Sequence, residues 1–123
     1  MQVMIIEDEQ DILLLYKDYL EKKGHTVIVT STFADEALLD YKTYLPDLVI
    51  IDYKLPGRFN GIEAAKQILM RHQSARILIV TAFQDIKKEI ELDNVFLGKR
   101  VQLLVKPIRL QDLSKAINNI AKC

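Results

Sequence analysis

Five short apolar runs punctuate the chain: Val3 to Ile6, Val27 to Val29, Leu48 to Ile51, Ile77 to Val80, and Val101 to Val105. Their β-branched and aliphatic residues predict strands. The first, third and fourth are continuously apolar over four residues. A strand with one solvated face alternates polar and apolar positions, so these three must be covered on both faces, as in a parallel sheet. Between the runs the apolar spacing becomes helical. Ile12, Tyr16, Tyr19 and Leu20 form one set; Phe33, Ala37, Leu38 and Tyr41 a second; Ile62, Ala65 and Leu69 a third; Leu113, Ile117 and Ile120 a fourth. Each set lays an apolar stripe along one side of a helix. A further helix is predicted from Gln84 to Leu97, where Asp93-Asn94 can break it before Gly98 caps it.

Strands that alternate with helices throughout imply right-handed crossovers. The expected fold is therefore α/β, a three-layer sandwich with helices on both faces of a five-stranded parallel sheet. Its 123 residues suit one domain spanning 1–123, a length that buries roughly two-thirds of the surface of the unfolded chain. In such sheets ligands bind beyond the carboxyl ends of the strands.

Charge narrows the functional classes. With 17 basic residues against 17 acidic ones, no cationic excess exists to attract a phosphate backbone or an anionic bilayer. Direct binding to nucleic acid or membrane is not expected. The apolar runs near the N-terminus are shorter than the ~7–15-residue core of a signal peptide, and none approaches a membrane span. A cytoplasmic location follows as the expectation. The single cysteine, Cys123, is the last residue, which excludes an internal disulfide and a cysteine-based zinc site and suggests a frayed terminal thiol. His25 and His72 lie in polar surroundings and read as surface histidines.

The chemistry concentrates where the strands end. The first strand runs into Glu7-Asp8-Glu9, the third ends in Asp52, the fourth in Thr81, and the fifth in Lys106-Pro107. Singly, acids solvate strand ends or cap helices, and threonine is a common strand residue. Jointly, three converging carboxylates raise one another's pKa unless a positive charge sits among them. Short acidic side chains with no neighbouring Cys or His suit a hard ion such as Mg²⁺, for which Mn²⁺ can substitute. Once the site is neutralised, a carboxylate can attack phosphorus, a lysine can pair with a phosphoryl oxygen and a hydroxyl can donate to another. Asp52, Lys106 and Thr81 fit those roles.

The motifs Ile5-Ile6-Glu7-Asp8-Glu9, Leu48 to Pro56 around Asp52, Gly61-Ile62-Glu63, Thr81-Ala82 and Lys106-Pro107 resemble the receiver domain of two-component response regulators, in particular the single-domain chemotaxis type. The likeness covers essentially the whole chain. It implies a flavodoxin-like strand order 2-1-3-4-5 and a cis Lys106-Pro107 peptide bond. Asp52 would be the phosphoacceptor, Asp8 a direct metal ligand, Glu7 an acid acting largely through water, and the Lys54 carbonyl a backbone ligand. Lys106 and Thr81 would contact the phosphoryl group. It further implies a signalling switch that catalyses its own phosphorylation and slow dephosphorylation. The partners would be a sensor histidine kinase or histidine phosphotransfer protein and a downstream protein target.

The sequence departs from that pattern in places. Three positions before Lys106 stands Leu103, where the family usually carries an aromatic ring that reports phosphorylation, so the switch would run through loop movement or helix repacking. Leu97-Gly98-Lys99-Arg100 replaces a pair of small residues before the fifth strand. Lys54 and Phe83, each two residues beyond a site residue, are bulky where the family places the path of the hydrolytic water. Both are expected to lengthen the phosphoryl lifetime. Ile12 to Tyr16 are all apolar, more than one helix face needs, and suggest a docking surface near Pro107 and Ile108. The last helix lacks the Arg-rich pattern of dimerising receivers, which favours a monomer.

Two other chemistries fit less well. A haloacid-dehalogenase-type phosphatase wants a second Asp where Lys54 stands, and a flavodoxin-like cofactor binder wants a phosphate-cradling loop where Glu7-Asp8-Glu9 would repel phosphate. A phosphorelay intermediate and a phosphate-independent interaction module stay open as alternatives, as does the choice between a stand-alone chain and a piece of a longer regulator.

Overall fold

The structure is a computed structural model that describes residues 1–122; Cys123, and the frayed thiol expected there, lie outside the described residues. Strands and helices alternate throughout: β1 (Gln2–Ile6), α1 (Gln10–Lys22), β2 (Thr26–Ser31), α2 (Ala37–Tyr44), β3 (Leu48–Asp52), α3 (Gly61–Arg71), β4 (Arg76–Thr81), α4 (Ile86–Leu92), β5 (Arg100–Val105) and α5 (Leu110–Ala121). All four strand pairings are parallel, and the order across the sheet is β2-β1-β3-β4-β5. Order and architecture are those expected.

The alternation of side chains along each strand divides the core in two. Val3, Ile5, Leu48, Ile50, Leu78 and Val80 pack with α1 and α5. Met4, Ile6, Val49, Ile51, Ile77 and Ile79 pack with α2 and α3 on the other face. This two-sided burial is the reason the middles of β1, β3 and β4 are continuously apolar, with polar residues only at their ends. The flanking strands β2 and β5 are only half-buried, being the sheet's edges.

Two predicted stripes shift. The α1 stripe that is buried is Leu13, Tyr16 and Leu20, with Ile12 and Tyr19 half-buried. Phe33 does not belong to α2: it precedes the helix and is exposed, and Ala34 fills the inward position with Ala37 and Tyr41. Spacing alone cannot tell a helical Phe33 from one in the preceding turn. The helix from Gln84 breaks where Asp93-Asn94 allowed it to. It ends at Leu92, and the Asp93 carboxylate accepts from the Val95 amide to cap a 3-10 turn over Asn94–Phe96. Gly98, at φ 73°, then takes the left-handed turn into β5. The histidines are half-buried at the surface: His25 Nδ1 lies 3.2 Å from the N-terminal amine, and the His72 ring lies tilted against Tyr41 with centroids 4.8 Å apart.

Candidate functional site

Order reverses across β1 and β3, so the loops after these strands diverge to opposite faces and leave a cleft at the carboxyl edge. Glu7 leaves β1 with its amide donating to Ser31 of β2 at 3.0 Å, which turns its side chain inward, 2% exposed. Asp52 closes β3 at 8% exposure, and Thr81 closes β4 at 1%. Asp8 faces solvent at the rim. One oxygen from each of Glu7, Asp8 and Asp52 lies within 4.8 Å of the others.

Lys106 reaches this cluster from the last turn of the sheet. Its amide donates to the Thr81 carbonyl at 2.7 Å, and its Nζ lies 3.3 Å from Asp52 Oδ1 and 3.5 Å from Glu7 Oε1. The Lys106-Pro107 peptide bond is cis, as the family likeness implied. Thr81 Oγ1 accepts from the Phe83 amide at 3.0 Å. That bond uses an oxygen lone pair and leaves the hydroxyl proton for an acceptor in the cleft.

Electrostatically the site is short of positive charge. Burial, reinforced by the Asp52 charge, pushes the Glu7 carboxyl up to about 7. Burial also raises Asp52, with Lys106 pulling against it. Burial disfavours the Lys106 ammonium, but attraction from Asp52 and Glu7 outweighs it and the pKa rises. The Lys106 ammonium therefore pairs with two of the three clustered carboxylates, Glu7 and Asp52, and leaves Asp8 at the rim. An all-oxygen donor set in that condition fits a hard divalent cation.

The cleft above these groups has a volume of about 530 Å³ and is lined by Asp8, Asp52, Lys54, Thr81, Phe83 and Lys106, among others. Lys54 and Phe83 stand exposed on its walls, and the Phe83 ring meets Tyr53 edge-on at 6.0 Å. Leu103 does not reach the cleft. It pairs with Ile79 across the sheet and packs, half-buried, on the α2–α3 side.

Three contributions were not legible as such. Gly61 donates its amide to the Tyr53 carbonyl at 2.7 Å and lies against the end of β3. Tyr16, spaced like any core residue of α1, shares a groove of about 440 Å³ with Lys106, Ile12, Leu15, Pro107 and Ile108. Burial raises its hydroxyl's pKa, with Lys106 opposing. Asp35 grips the loop after Asp52 through backbone amides. Helical spacing marks which side of α1 is inside, but not which turn of it meets the site.

The fold, its carboxyl-edge acid cluster and the facing lysine define a class that comparison with known proteins identifies. Residues 3–118 match the response regulator receiver domain. The chain belongs to that family. It is 28% identical to the chemotaxis protein CheY of Thermotoga maritima over 98% of both chains. It is 31% identical to the alkaline phosphatase synthesis regulator PhoP of Bacillus subtilis over 98% of this chain but 48% of that protein. It thus spans nearly all of the first relative and about half of the second. Among solved structures, the response regulator TrrA of Thermotoga maritima, in complex with Mg²⁺ and beryllium fluoride, superposes with a TM-score of 0.81 at 25% identity, covering 98% of this chain and 99% of that one. Among the described residues, no helix is long and apolar enough to cross a membrane.

Proposed function

We propose that Asp52 is the phosphoacceptor of a two-component switch, and that Glu7, Asp8, Asp52 and the Lys54 carbonyl hold the magnesium ion its chemistry requires. The observation that carries this is the convergence of three carboxylates with one ammonium at the carboxyl edge of the sheet. The Mg²⁺ and beryllium fluoride complex of TrrA supports it. Mn²⁺ can take the same oxygen set.

Asp52 Oδ attacks phosphorus in line, forming an O–P bond as the N–P bond to the donor imidazole breaks and its electron pair returns to that nitrogen. Lys106, freed from its pairing with Asp52, binds a phosphoryl oxygen, and the Thr81 hydroxyl donates to another. Magnesium, when bound, neutralises the carboxylates and the incoming phosphoryl oxygens. Lys54 and Phe83 obstruct the later approach of water and lengthen the phosphoryl lifetime. The donor is a sensor histidine kinase or a histidine phosphotransfer protein docking on the groove beside Leu15 and Ile108. The output, carried without a ring at Leu103, is a change of shape read by a downstream protein. We place the chain in the cytoplasm, as one domain and a monomer.

The test is incubation with acetyl phosphate and Mg²⁺ followed by intact mass, repeated with Asp52→Asn and with metal removed. An adduct of one phosphoryl group that needs both Asp52 and metal is the expected result. Metal binding without an adduct would overturn it in favour of a phosphate-independent interaction module.

A further inference from the structure

Between Asp52 and α3 the chain makes a loop, Tyr53 to Asn60, and only its first part faces the cleft: Lys54, Leu55 and Pro56 line it. The base of the loop is cinched by the Gly61 amide donating to the Tyr53 carbonyl at 2.7 Å. Its far limb turns at Gly57, φ 95°. There a residue from another element takes hold. Asp35, on the turn between β2 and α2, accepts through one oxygen, Oδ1, from the Arg58 amide at 2.9 Å and from the Phe59 amide at 3.4 Å.

The fit is close. A Cβ at Gly57 would lie 2.7 Å from Asp35 Oδ1, so the carboxylate sits flush on the turn, and a side chain there would push Asp35 aside and strain a left-handed backbone. Two successive amides converging on an ionised oxygen make a charge-assisted cradle, stronger than bonds between neutral groups. The turn that carries Asp35 is itself anchored by Ala34 and Ala37, 1% and 2% exposed in the core. Asp35 is thus a fixed post, and the loop is bracketed on both sides of its cleft-lining stretch.

We propose that Asp35 is a positioning residue for the metal and phosphoryl cleft: by holding Arg58 and Phe59 it keeps Lys54 to Pro56 in the place where the Lys54 carbonyl serves the cation. Asp35 does so without lining the cleft. The proposal rests on the reading of that cleft as a magnesium site. Its physical basis is preorganisation, because a wall tethered at one end must be ordered when the ion arrives, and that ordering subtracts from affinity.

Two readouts test it on the whole protein: amide hydrogen exchange at Arg58 and Phe59 in metal-free samples, and Mg²⁺ affinity by calorimetry. Asp35→Ala is expected to speed exchange at both amides about tenfold or more, and to weaken Mg²⁺ binding about three- to tenfold while the rest of the sheet stays protected. Asp35→Asn, which keeps an oxygen at the same place, is expected to restore most of both. Faster exchange with unchanged Mg²⁺ affinity would reduce Asp35 to a loop staple and overturn the proposal. Unchanged exchange would overturn the tether itself. Protected amides in a wild-type protein that binds no Mg²⁺ would instead overturn the functional reading of the cleft, and this proposal with it.

Discussion

Gly61 lies so close to Asp52 that a Cβ on it would stand 2.2 Å from the Asp52 carbonyl oxygen and 3.0 Å from the Tyr53 Cα. Both obstacles are backbone, so neither can rotate away. The first residue of α3 is thereby pressed against the end of the strand that presents the acid cluster. Asn60 fixes that helix start by a reciprocal cap, its side chain accepting from the Glu63 amide at 2.8 Å while the Asn60 amide donates to Glu63 at 2.9 Å.

Gly61→Ala must therefore move the end of β3 or the start of α3. Overpacking against backbone costs about 1–3 kcal/mol, and displacing Asp52 is expected to slow phosphorylation by acetyl phosphate about tenfold or more. Chemical denaturation and the rate of mass gain report the two effects separately. A variant that phosphorylates at the wild-type rate would show that the contact does not position Asp52.

The raised Glu7 carboxyl predicts how stability depends on pH. Its ordinary value is 4.5 and its folded value about 7. Between them the folded protein keeps a proton that the unfolded chain releases, so metal-free stability falls as pH rises through that window. Asp52, raised in the same direction by burial, adds to the trend. In chelator the melting temperature is expected to drop between about pH 5 and pH 7.5, and added Mg²⁺ to raise it more at the higher pH. Glu7→Gln should flatten the profile; a profile identical to wild type would refute this account of the site's charge.

Lys54 and Phe83 both line the cleft and are exposed to solvent. If they screen the acyl phosphate from water, the double variant Lys54→Asn, Phe83→Glu dephosphorylates faster, by about tenfold, because in-line attack needs a clear approach. Decay of the phosphorylated mass after removal of the donor measures it, and an unchanged half-life would remove both residues from that role.

Leu15, 50% exposed, lines the groove beside Pro107 and Ile108, whereas Leu14, 58% exposed, does not. Leu15→Asp is expected to impair phosphotransfer from a histidine-containing donor protein at least about tenfold. It should leave phosphorylation by acetyl phosphate unchanged, since a small donor needs no docking surface. Equal loss with both donors would point to damage at the cleft, and no loss with either would free the groove from this role.

Much of the site was readable because its residues follow the strands. Glu7, Asp52, Thr81 and Lys106 each terminate an apolar run, and in a parallel sheet such ends must share one edge. The bulk of Lys54 and Phe83 was equally visible. Phe33 misled because a hydrophobic residue one turn before a helix has the same spacing as one inside it. Gly61 appeared within a motif, yet nothing in its neighbours reveals that the obstacle is the Asp52 backbone. Asp35 belongs to no motif, and its amide partners lie more than twenty residues away.

The amino-acid sequence by itself determined the alternation of strands and helices, the two-sided burial of β1, β3 and β4, and the set of groups at the sheet's carboxyl edge. These follow from local periodicity, which the chain carries residue by residue. Only the tertiary structure decided which groups lie within bonding distance: Lys106 beside both Glu7 and Asp52, Asp35 on the amides of Arg58 and Phe59, Gly61 against β3. Those contacts join residues from separate elements, up to 99 positions apart. Their geometry depends on how the elements pack, which local patterning does not encode.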